Sequence, residues 1–287
     1  MSYPDDLREL VDAHLADLRF SPHASTAGLE EAMRYSLLAG GKRIRPVLAL
    51  ATARALGADP ARFLCAASAI ELIHTYSLIH DDLPAMDDDE LRRGRPTAHV
   101  RFGEDVAILS GDGLFAEAVR IFCEQPAEPE RVLAALRELA AATGIDGMVG
   151  GQYVDVTQGE LSAEELRALH GLKTGRLISA SVGVVLTLEG TPQNETIPYL
   201  RFADEVGVLF QIVDDILDVT GSEEELGKPH GSDEKHGKYT YVSLFGLERA
   251  RELAGESHRN AREALVGAHG DTDDLRRIAD FIHTRHE

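Results

Sequence analysis

Cysteine and tryptophan are nearly missing from this sequence. Its 287 residues include two cysteines, Cys65 and Cys123, and no tryptophan. Two cysteines supply neither a disulfide framework nor a zinc site, and such a chain suits a reducing compartment. The opening residues 1–6 also lack the basic and apolar regions of a secretory signal peptide. We therefore expect a cytoplasmic protein.

Basic residues and long apolar runs are scarce as well. The chain has 29 Lys and Arg against 49 Asp and Glu, and a formal net charge of −20. That charge disfavours nonspecific binding to nucleic acid or to anionic membranes. The longest uncharged, largely apolar run, residues 177–188, has 12 residues and is too short to span a bilayer. We expect no nucleic-acid partner and no membrane insertion, whereas a small anionic ligand stays compatible if cations cluster locally.

Helical periodicity, by contrast, recurs almost throughout. Hydrophobic residues make up 44% of the chain, and no convincing alternating strand pattern is present. No Pro-, Ser- or Gly-rich linker divides the sequence, so we expect one all-α domain over residues 1–287. The segment 162–165 has the pattern of a capping box. The predicted helices span residues 5–19, 26–39, 44–56, 60–82, 104–123, 128–143, 146–157, 163–188, 195–219, 240–266 and 272–284.

Two aspartate clusters are the main chemical feature. Residues 81–87 read Asp-Asp-Leu-Pro-Ala-Met-Asp and residues 214–218 read Asp-Asp-Ile-Leu-Asp. Carboxylates this close repel one another unless cations neutralise them. Without accompanying cysteines or a histidine pair they favour Mg²⁺ or Mn²⁺ over zinc, and Mg²⁺ often completes its shell with substrate phosphates. A solvated helix end is the alternative, but apolar stretches precede both clusters and predict buried helices.

The spacing within each cluster predicts how the carboxylates meet. Asp214 and Asp218 lie four residues apart and share a helix face. Asp81 and Asp87 lie six apart, roughly 240° around an ideal helix, and could not share one. Pro84 breaks the regular hydrogen-bond ladder between them, so we expect a bend that returns Asp87 toward Asp81.

Short basic motifs are spread through this acidic chain. They are Gly40–Pro46 with three cations at a predicted helix start, Arg92–Arg95, Lys173–Arg176, and the pair Lys228 and Lys238. One such motif alone is more often a solvated surface patch, but several beside acid clusters indicate a site for polyanions and metals. Segment 222–238, rich in glycine and poor in apolar residues, is interpreted as an active-site lid or as a mobile connection.

Together these motifs resemble those of the trans-isoprenyl diphosphate synthase (polyprenyl synthetase) family, and in particular its short-chain bacterial farnesyl diphosphate synthase type. The further motifs that carry the resemblance are His74, Gly150-Gly151-Gln152, Lys173-Thr174 and Phe210-Gln211. The resemblance implies a bundle of about ten or more helices around a deep central cavity, in a homodimer. It also implies that an allylic diphosphate (dimethylallyl or geranyl) is joined to isopentenyl diphosphate by ionisation, condensation and proton loss.

The resemblance further implies a role for each matching residue. The Mg²⁺ ligands, for three ions that Mn²⁺ could replace, would be Asp81, Asp82, Asp87, Asp214 and Asp218. The allylic diphosphate would be held by Arg92, Lys173, Lys228 and Lys238. Isopentenyl diphosphate would be held by Lys42, Arg45, His74 and Arg93. The carbocation would be stabilised by oxygens of Thr174 and Gln211. The expected catalytic set consists of these two with Lys173, Asp81, Asp82, Asp87 and Asp214.

Several positions keep two interpretations. On sequence alone His74 is more often a core histidine, and only the family match favours a ligand role. Asp155 and Tyr153 could contact the site or support it. Tyr76, five residues and about 7.5 Å before Asp81, could floor the hydrocarbon cavity beside the small Ser77, or could be ordinary core packing. By resemblance, an aromatic residue at this position goes with a C15 product, so we expect farnesyl over geranylgeranyl diphosphate.

Three other functions fit the motifs less well. A terpene cyclase of the same fold would lack the Lys42, Arg45 and His74 set and would carry an Asn/Ser/Glu-type second metal motif. A non-catalytic partner subunit would tend to lose one aspartate motif, whereas this chain keeps both. A metal-buffering protein would not need the basic motifs.

Overall fold

Helices make up nearly all the regular structure of the computed structural model, which describes residues 3–157, 159, 161–221 and 238–285. The α-helices are α1 (Asp5–Asp17), α2 (Ala27–Leu37), α3 (Ile44–Ala55), α4 (Leu64–Asp81), α5 (Ala98–Phe102), α6 (Glu104–Cys123), α7 (Pro129–Thr143), α8 (Met148–Thr157), α9 (Ala163–His170), α10 (Arg176–Glu189), α11 (Gln193–Thr220), α12 (Tyr241–Phe245), α13 (Leu247–Ala264) and α14 (Asp273–Thr284). The predicted all-α class is confirmed.

The central helices owe their position to their composition. In α3, α4 and α10 most side chains are apolar and buried, so these helices lie inside the bundle rather than on its surface. Helix α4 packs against α3 and α6, and α10 packs against α3, α7 and α11. The amphipathic α13 covers the outer side of α11. Both aspartate clusters therefore lie at the carboxyl ends of core helices, α4 and α11.

Three local features depart from the predicted helices. Segment 163–188 is interrupted by one π-helical turn, Gly171–Gly175. Segment 240–266 is broken at Gly246, whose φ of +79° few residues other than glycine adopt. A two-stranded antiparallel hairpin, β1 (Leu91–Arg92) with β2 (Arg95–Pro96), follows the first acidic cluster. The capping box predicted at residues 162–165 is confirmed, with Ser162 and Glu165 as its partners.

One helix within the described ranges, Pro60–Asp81, is long and apolar enough to cross a membrane by length and composition alone. The search for uncharged apolar runs in the sequence did not find this helix, because Glu71 and His74 interrupt its apolar residues. Since 61% of its most apolar window is buried against the rest of the protein, it has the surroundings of a core helix, and its hydropathy is weak support for membrane insertion.

Candidate active site

The first acidic cluster folds back on itself. Helix α4 ends at Asp81, and the backbone N–H of Asp87 donates a hydrogen bond of 2.9 Å to the carbonyl of Asp81. The turn is closed further by Met86, whose N–H donates to the carbonyl of Leu83 at 2.8 Å. The predicted return of Asp87 toward Asp81 around Pro84 is therefore confirmed.

Asp81 is the electrostatic centre of this turn. Burial is the main cause that raises the pKa of its carboxyl, to about 6, and the charge of Asp87 raises it further. The charges of Lys173, Arg92 and Lys238 act in the opposite direction. Two neighbouring carboxylates and surrounding cations thus meet at the end of α4.

Asp82 points to a different partner. Arg92, on β1, donates from Nε to both carboxylate oxygens of Asp82 at 2.8 and 2.9 Å, and from Nη2 at 2.5 Å. Asp82 is 3% exposed, and the pair lines an open cleft between α2, α4 and the hairpin. The structure thus pairs Asp82 with Arg92, as it pairs Asp87 with Lys238, and the roles expected for Asp82 as a metal ligand and for Arg92 at the allylic diphosphate stay predictions.

Two predicted lysines are held by carboxylates. Lys173 Nζ donates to Asp155 Oδ2 at 2.5 Å. Lys238 Nζ donates to Asp87 Oδ2 at 2.8 Å and lies 3.9 Å from Asp155. The question that the sequence left open for Asp155 is thereby answered: it pairs with the lysines of the site. Lys228, and the rest of the interpreted lid over 222–237, lie outside the described residues.

The π-helical turn positions Lys173 and Thr174. A Cβ at Gly151 of α8 would overlap the backbone of Lys173, so only glycine permits this approach. Single π-turns within helices occur often at functional sites. The close packing explains why the Gly150-Gly151 and Lys173-Thr174 motifs belong to one site.

Thr174 begins a chain of hydrogen bonds. Its hydroxyl donates to Gln211 Oε1 at 2.9 Å, and Gln211 Nε2 donates to Asp215 Oδ1 at 2.7 Å. Asp215, 1% exposed, also accepts the backbone N–H of Tyr241 at 2.7 Å. The sequence analysis assigned Asp215 no role, whereas the structure makes it the residue that orients Gln211. The sequence could have indicated this role, because Asp215 lies between Asp214 and Asp218 on the inward side of the helix.

The two remaining acids of the second cluster differ in surroundings. Asp214 is exposed, and Asp218 is 4% exposed. The charge of Asp214 raises the pKa values of Lys42 and Arg45, which burial lowers. Asp214 therefore faces the basic residues of the chain's first half.

Those basic residues and His74 converge from three elements: the start of α3, helix α4 and the hairpin. Burial, and then the charges of Arg45 and Arg93, hold the pKa of His74 well below its ordinary value. Burial lowers the pKa of Lys42 to about 8. Arg93 donates to the carbonyl of Gly40. A neutral imidazole among buried cations is suited to binding an anion.

Arg43, also part of the basic motif, has a structural role instead. Its guanidinium donates to Glu71 at 2.6 Å and to Asp12 at 2.9 Å. Since both ion-pair partners are protein carboxylates, Arg43 ties α1, α3 and α4 together and is not available to a ligand.

The donor set fits magnesium without forming a closed cage. Within the part of the chain that the structure describes, no three Asp, Glu, His or Cys side chains converge as a metal site. Asp81 and Asp87 are nevertheless neighbouring oxygen donors, as are Asp214 and Asp218 by helix spacing. Few carboxylates with room for other oxygens suit Mg²⁺, which retains water and phosphate ligands.

Tyr76 lies between α4 and α6. Its ring meets that of Phe115 edge-on at 5.5 Å and that of His80 at 5.8 Å. Burial, and then the charge of Asp81, raise the pKa of its hydroxyl to about 12. Ser77 turns back to the helix and donates to the carbonyl of His74 at 2.9 Å.

The sequence is similar to those of known enzymes. The family described as polyprenyl synthetase matches residues 26–281. The farnesyl diphosphate synthase of Geobacillus stearothermophilus is 47% identical over 265 residues, 90% of this chain and 89% of that protein. The chloroplastic geranylgeranyl pyrophosphate synthase 11 of Arabidopsis thaliana is 46% identical over 267 residues, 90% of this chain and 75% of that protein.

The fold is similar to solved structures over nearly its whole length. The geranyltransferase of Helicobacter pylori, complexed with magnesium and isoprenyl diphosphate, superposes with a TM-score of 0.86 at 33% identity, covering 98% of this chain and 97% of that one. The geranylgeranyl pyrophosphate synthetase of Pyrococcus horikoshii Ot3 gives a TM-score of 0.87, also at 33% identity, with 98% and 96% covered. Relatives of both product lengths are similar to this chain, so similarity alone does not resolve chain length.

Proposed function

The chain belongs to the polyprenyl synthetase family and is a trans-prenyl diphosphate synthase, and we propose that its product is farnesyl diphosphate. The proposed substrates are isopentenyl diphosphate with dimethylallyl and then geranyl diphosphate. The observation that carries the proposed pair of diphosphate substrates is the division of the site into an acidic side around Asp81 and a basic side around Lys42 and Arg45. One side suits a diphosphate bound with metal, and the other suits a diphosphate bound without it.

On the acidic side, Mg²⁺ would be held by Asp81, Asp82, Asp87, Asp214 and Asp218. The expectation of three ions, with Mn²⁺ as a substitute, is part of this proposal. Bound Mg²⁺ neutralises the charge that develops on a leaving pyrophosphate. Asp82 and Arg92, which bind each other in this structure, would exchange that pairing for Mg²⁺ and for the allylic diphosphate.

The allylic diphosphate would be bound by two lysines that lie beside the Asp81–Asp87 turn. Lys173 and Lys238, which pair with Asp155 and Asp87, would exchange carboxylate partners for diphosphate oxygens. Preorganised cations aimed at the leaving group stabilise the charge that forms as its bond to carbon breaks.

The allylic carbocation needs dipoles but no competing nucleophile. Thr174 and Gln211 present oxygens, and Asp215 anchors the amide nitrogen of Gln211, which fixes the direction of the amide dipole. The double bond of isopentenyl diphosphate then attacks the cation, and the departing pyrophosphate takes the proton that the product loses.

Isopentenyl diphosphate would lie on the basic side, held by Lys42, Arg45, His74 and Arg93. His74, whose pKa is held low by burial and neighbouring arginines, is neutral and can donate one N–H to a diphosphate oxygen. The arginines and the lysine provide the charge. No nearby acid cluster is needed, because this diphosphate does not leave.

The C15 product is supported by the Tyr76 ring, which lies about 7.5 Å before Asp81 along α4 and packs against Phe115. Such a ring would block further growth of the product's hydrocarbon chain within the helix bundle. The deep central cavity that would hold this hydrocarbon chain is part of the proposal. Geranylgeranyl diphosphate is the alternative. We also propose a homodimer and a cytoplasmic location. Exposed apolar residues on α6, among them Leu109 and Phe115, offer a surface on which a second copy of the chain could pack.

Product analysis tests the proposal. Purified protein, Mg²⁺ and isopentenyl diphosphate are incubated with dimethylallyl or geranyl diphosphate, and the dephosphorylated products are sized by chromatography. We expect C15 from either primer and no product with a chelator present. A C20 product would leave the mechanism and overturn the chain-length assignment, and no elongation from either primer would contradict the activity.

A further inference from the structure

His170 ends α9, immediately before the π-helical turn that carries Lys173 and Thr174. The residue is 9% exposed, and the centroid of its ring lies 5.4 Å from that of the Tyr241 ring. The backbone N–H of Tyr241 in turn donates to Asp215. The imidazole is therefore held between the π-turn and α12, although no step of the proposed reaction uses it.

One nitrogen of this ring has no partner. The Nδ1 atom of His170 is buried and forms no hydrogen bond with any residue that the structure describes. Burial is the main cause that lowers the pKa of His170, to about 4, so the imidazole is neutral at physiological pH. A neutral imidazole still carries one N–H that can donate. A buried nitrogen without a partner costs free energy, and a native structure that keeps one calls for an explanation.

The imidazole lies beside the ion pair of Lys173 with Asp155. After burial, the charge of Asp155 is the first cause that acts on the pKa of His170, which it raises, and the charge of Lys173 is the next, which lowers it. Helix α8, which carries Asp155, packs against both α9 and the π-turn. Lys173 Nζ is 2.5 Å from Asp155 Oδ2, and Lys173 follows His170 by three residues.

Asp155 needs a new partner when the allylic substrate binds. In the proposed function, Lys173 and Lys238 leave their carboxylates for the diphosphate. The side chain of Asp155 is 12% exposed, and a carboxylate with so little access to water requires another hydrogen-bond donor. Without such a donor, Asp155 would retain the lysines and oppose binding of the diphosphate.

We propose that His170 is a positioning residue for the allylic diphosphate, because its Nδ1–H donates to Asp155 once Lys173 has moved to the substrate. The proposal rests on the proposed function. It gives the buried Nδ1 atom a partner in the substrate-bound state. A neutral donor forms a charge-assisted hydrogen bond with the carboxylate and adds no like charge beside Lys173.

The test compares the two Michaelis constants in full-length His170→Phe, which keeps a ring against Tyr241 and removes the nitrogen. The KM for geranyl diphosphate, at saturating isopentenyl diphosphate and Mg²⁺, is expected to rise about tenfold, the loss typical of a hydrogen bond to a charged group. The KM for isopentenyl diphosphate should change less than about twofold. The melting temperature should not fall, because the substitution removes an unsatisfied buried nitrogen.

Two further variants separate this role from ordinary packing. His170→Asn should recover part of the loss, because its amide also supplies an N–H donor. In an Asp155→Asn background, His170→Phe should cause no further rise of the KM for geranyl diphosphate, since no buried carboxylate is left to partner. Calorimetric titration of geranyl diphosphate with Mg²⁺, without isopentenyl diphosphate, measures the same binding independently of turnover and should show the same tenfold difference.

His14→Phe is the matched control. His14 lies on α1 and also has a buried ring nitrogen, Nε2, without a partner among the described residues. Burial lowers its pKa as well, but the charge that acts on it is that of Asp17. The same substitution at this position should therefore leave both Michaelis constants unchanged.

Three results would overturn the proposal. One is a His170→Phe variant with the wild-type KM and the wild-type affinity for geranyl diphosphate. Another is a rise of both Michaelis constants with a lower melting temperature, which would make His170 structural. The third is an undiminished effect of His170→Phe in the Asp155→Asn background, since the histidine would then not act through Asp155. If the wild type bound geranyl diphosphate without elongating it, the proposed function would fail, and the titration would still decide the role of His170.

Discussion

Replacing Tyr76 with alanine should lengthen the product by one five-carbon unit. One helical turn deeper on the same side of α4 lie Leu72 and Ile73, both buried. Ile73 lies three and Leu72 four residues before Tyr76, which adds about 4.5–6 Å of depth along the helix axis. One extended isoprene unit spans roughly 5 Å, given C–C bonds of about 1.5 Å. We therefore expect Tyr76→Ala to make C20 where the wild type makes C15.

The same substitution has a cost in stability. The partly buried Tyr76 ring packs against Phe115 and His80, and removing it should lower the free energy of unfolding by roughly 2 kcal/mol, less than for a fully buried aromatic residue. Tyr76→Phe keeps the ring and is the matched control, with a C15 product. Chromatographic sizing of the dephosphorylated products, with a melting curve for each variant, makes the comparison. A folded Tyr76→Ala that still stops at C15 would refute Tyr76 as the floor.

Three further predictions concern the rest of the site. Since the pKa of Lys42 is about 8, its charge is lost as pH rises through that value, and the KM for isopentenyl diphosphate should rise about tenfold per pH unit above it. Lys42→Arg should flatten this rise, and a flat wild-type profile would contradict the assignment. The pKa of Asp81 is about 6, so calorimetric Mg²⁺ affinity should weaken as pH falls below that value; equal affinities at about pH 5 and pH 7 would argue against Asp81 as a ligand. In Asp215→Asn the side chain cannot accept hydrogen bonds from both Gln211 Nε2 and the Tyr241 backbone N–H. We therefore expect kcat to fall about tenfold with little change in either KM. An unchanged kcat would show that Asp215 does not orient Gln211 for catalysis.

The fold class and the principal acidic residues could be predicted from the sequence because both depend on the spacing of nearby residues. Apolar periodicity located the core helices, and the six-residue interval from Asp81 to Asp87, with Pro84 between them, required the bend that the structure contains. These are properties of consecutive residues, which a sequence displays directly.

Features that depend on tertiary contacts were missed or misassigned. The hairpin strands have two residues each, too few for any periodicity, and this hairpin is what carries Arg92 to Asp82. The π-turn at Gly171–Gly175 depends on hydrogen-bond register and on packing against Gly151, neither of which composition reveals. Arg285, which follows α14, is far from Lys42 in the chain, yet after burial its charge is the next cause that lowers the pKa of Lys42. Only the packing of α14 brings the two residues near each other.

Offering farnesyl diphosphate as the primer tests whether Tyr76 limits the product to C15. Wild-type protein, Mg²⁺ and radiolabelled isopentenyl diphosphate are incubated with farnesyl diphosphate, beside a parallel reaction with geranyl diphosphate. We predict rapid C15 formation from geranyl diphosphate and no C20 from farnesyl diphosphate, because Tyr76 leaves no room for a fourth unit. Efficient conversion of farnesyl diphosphate to C20 would contradict that account of the site.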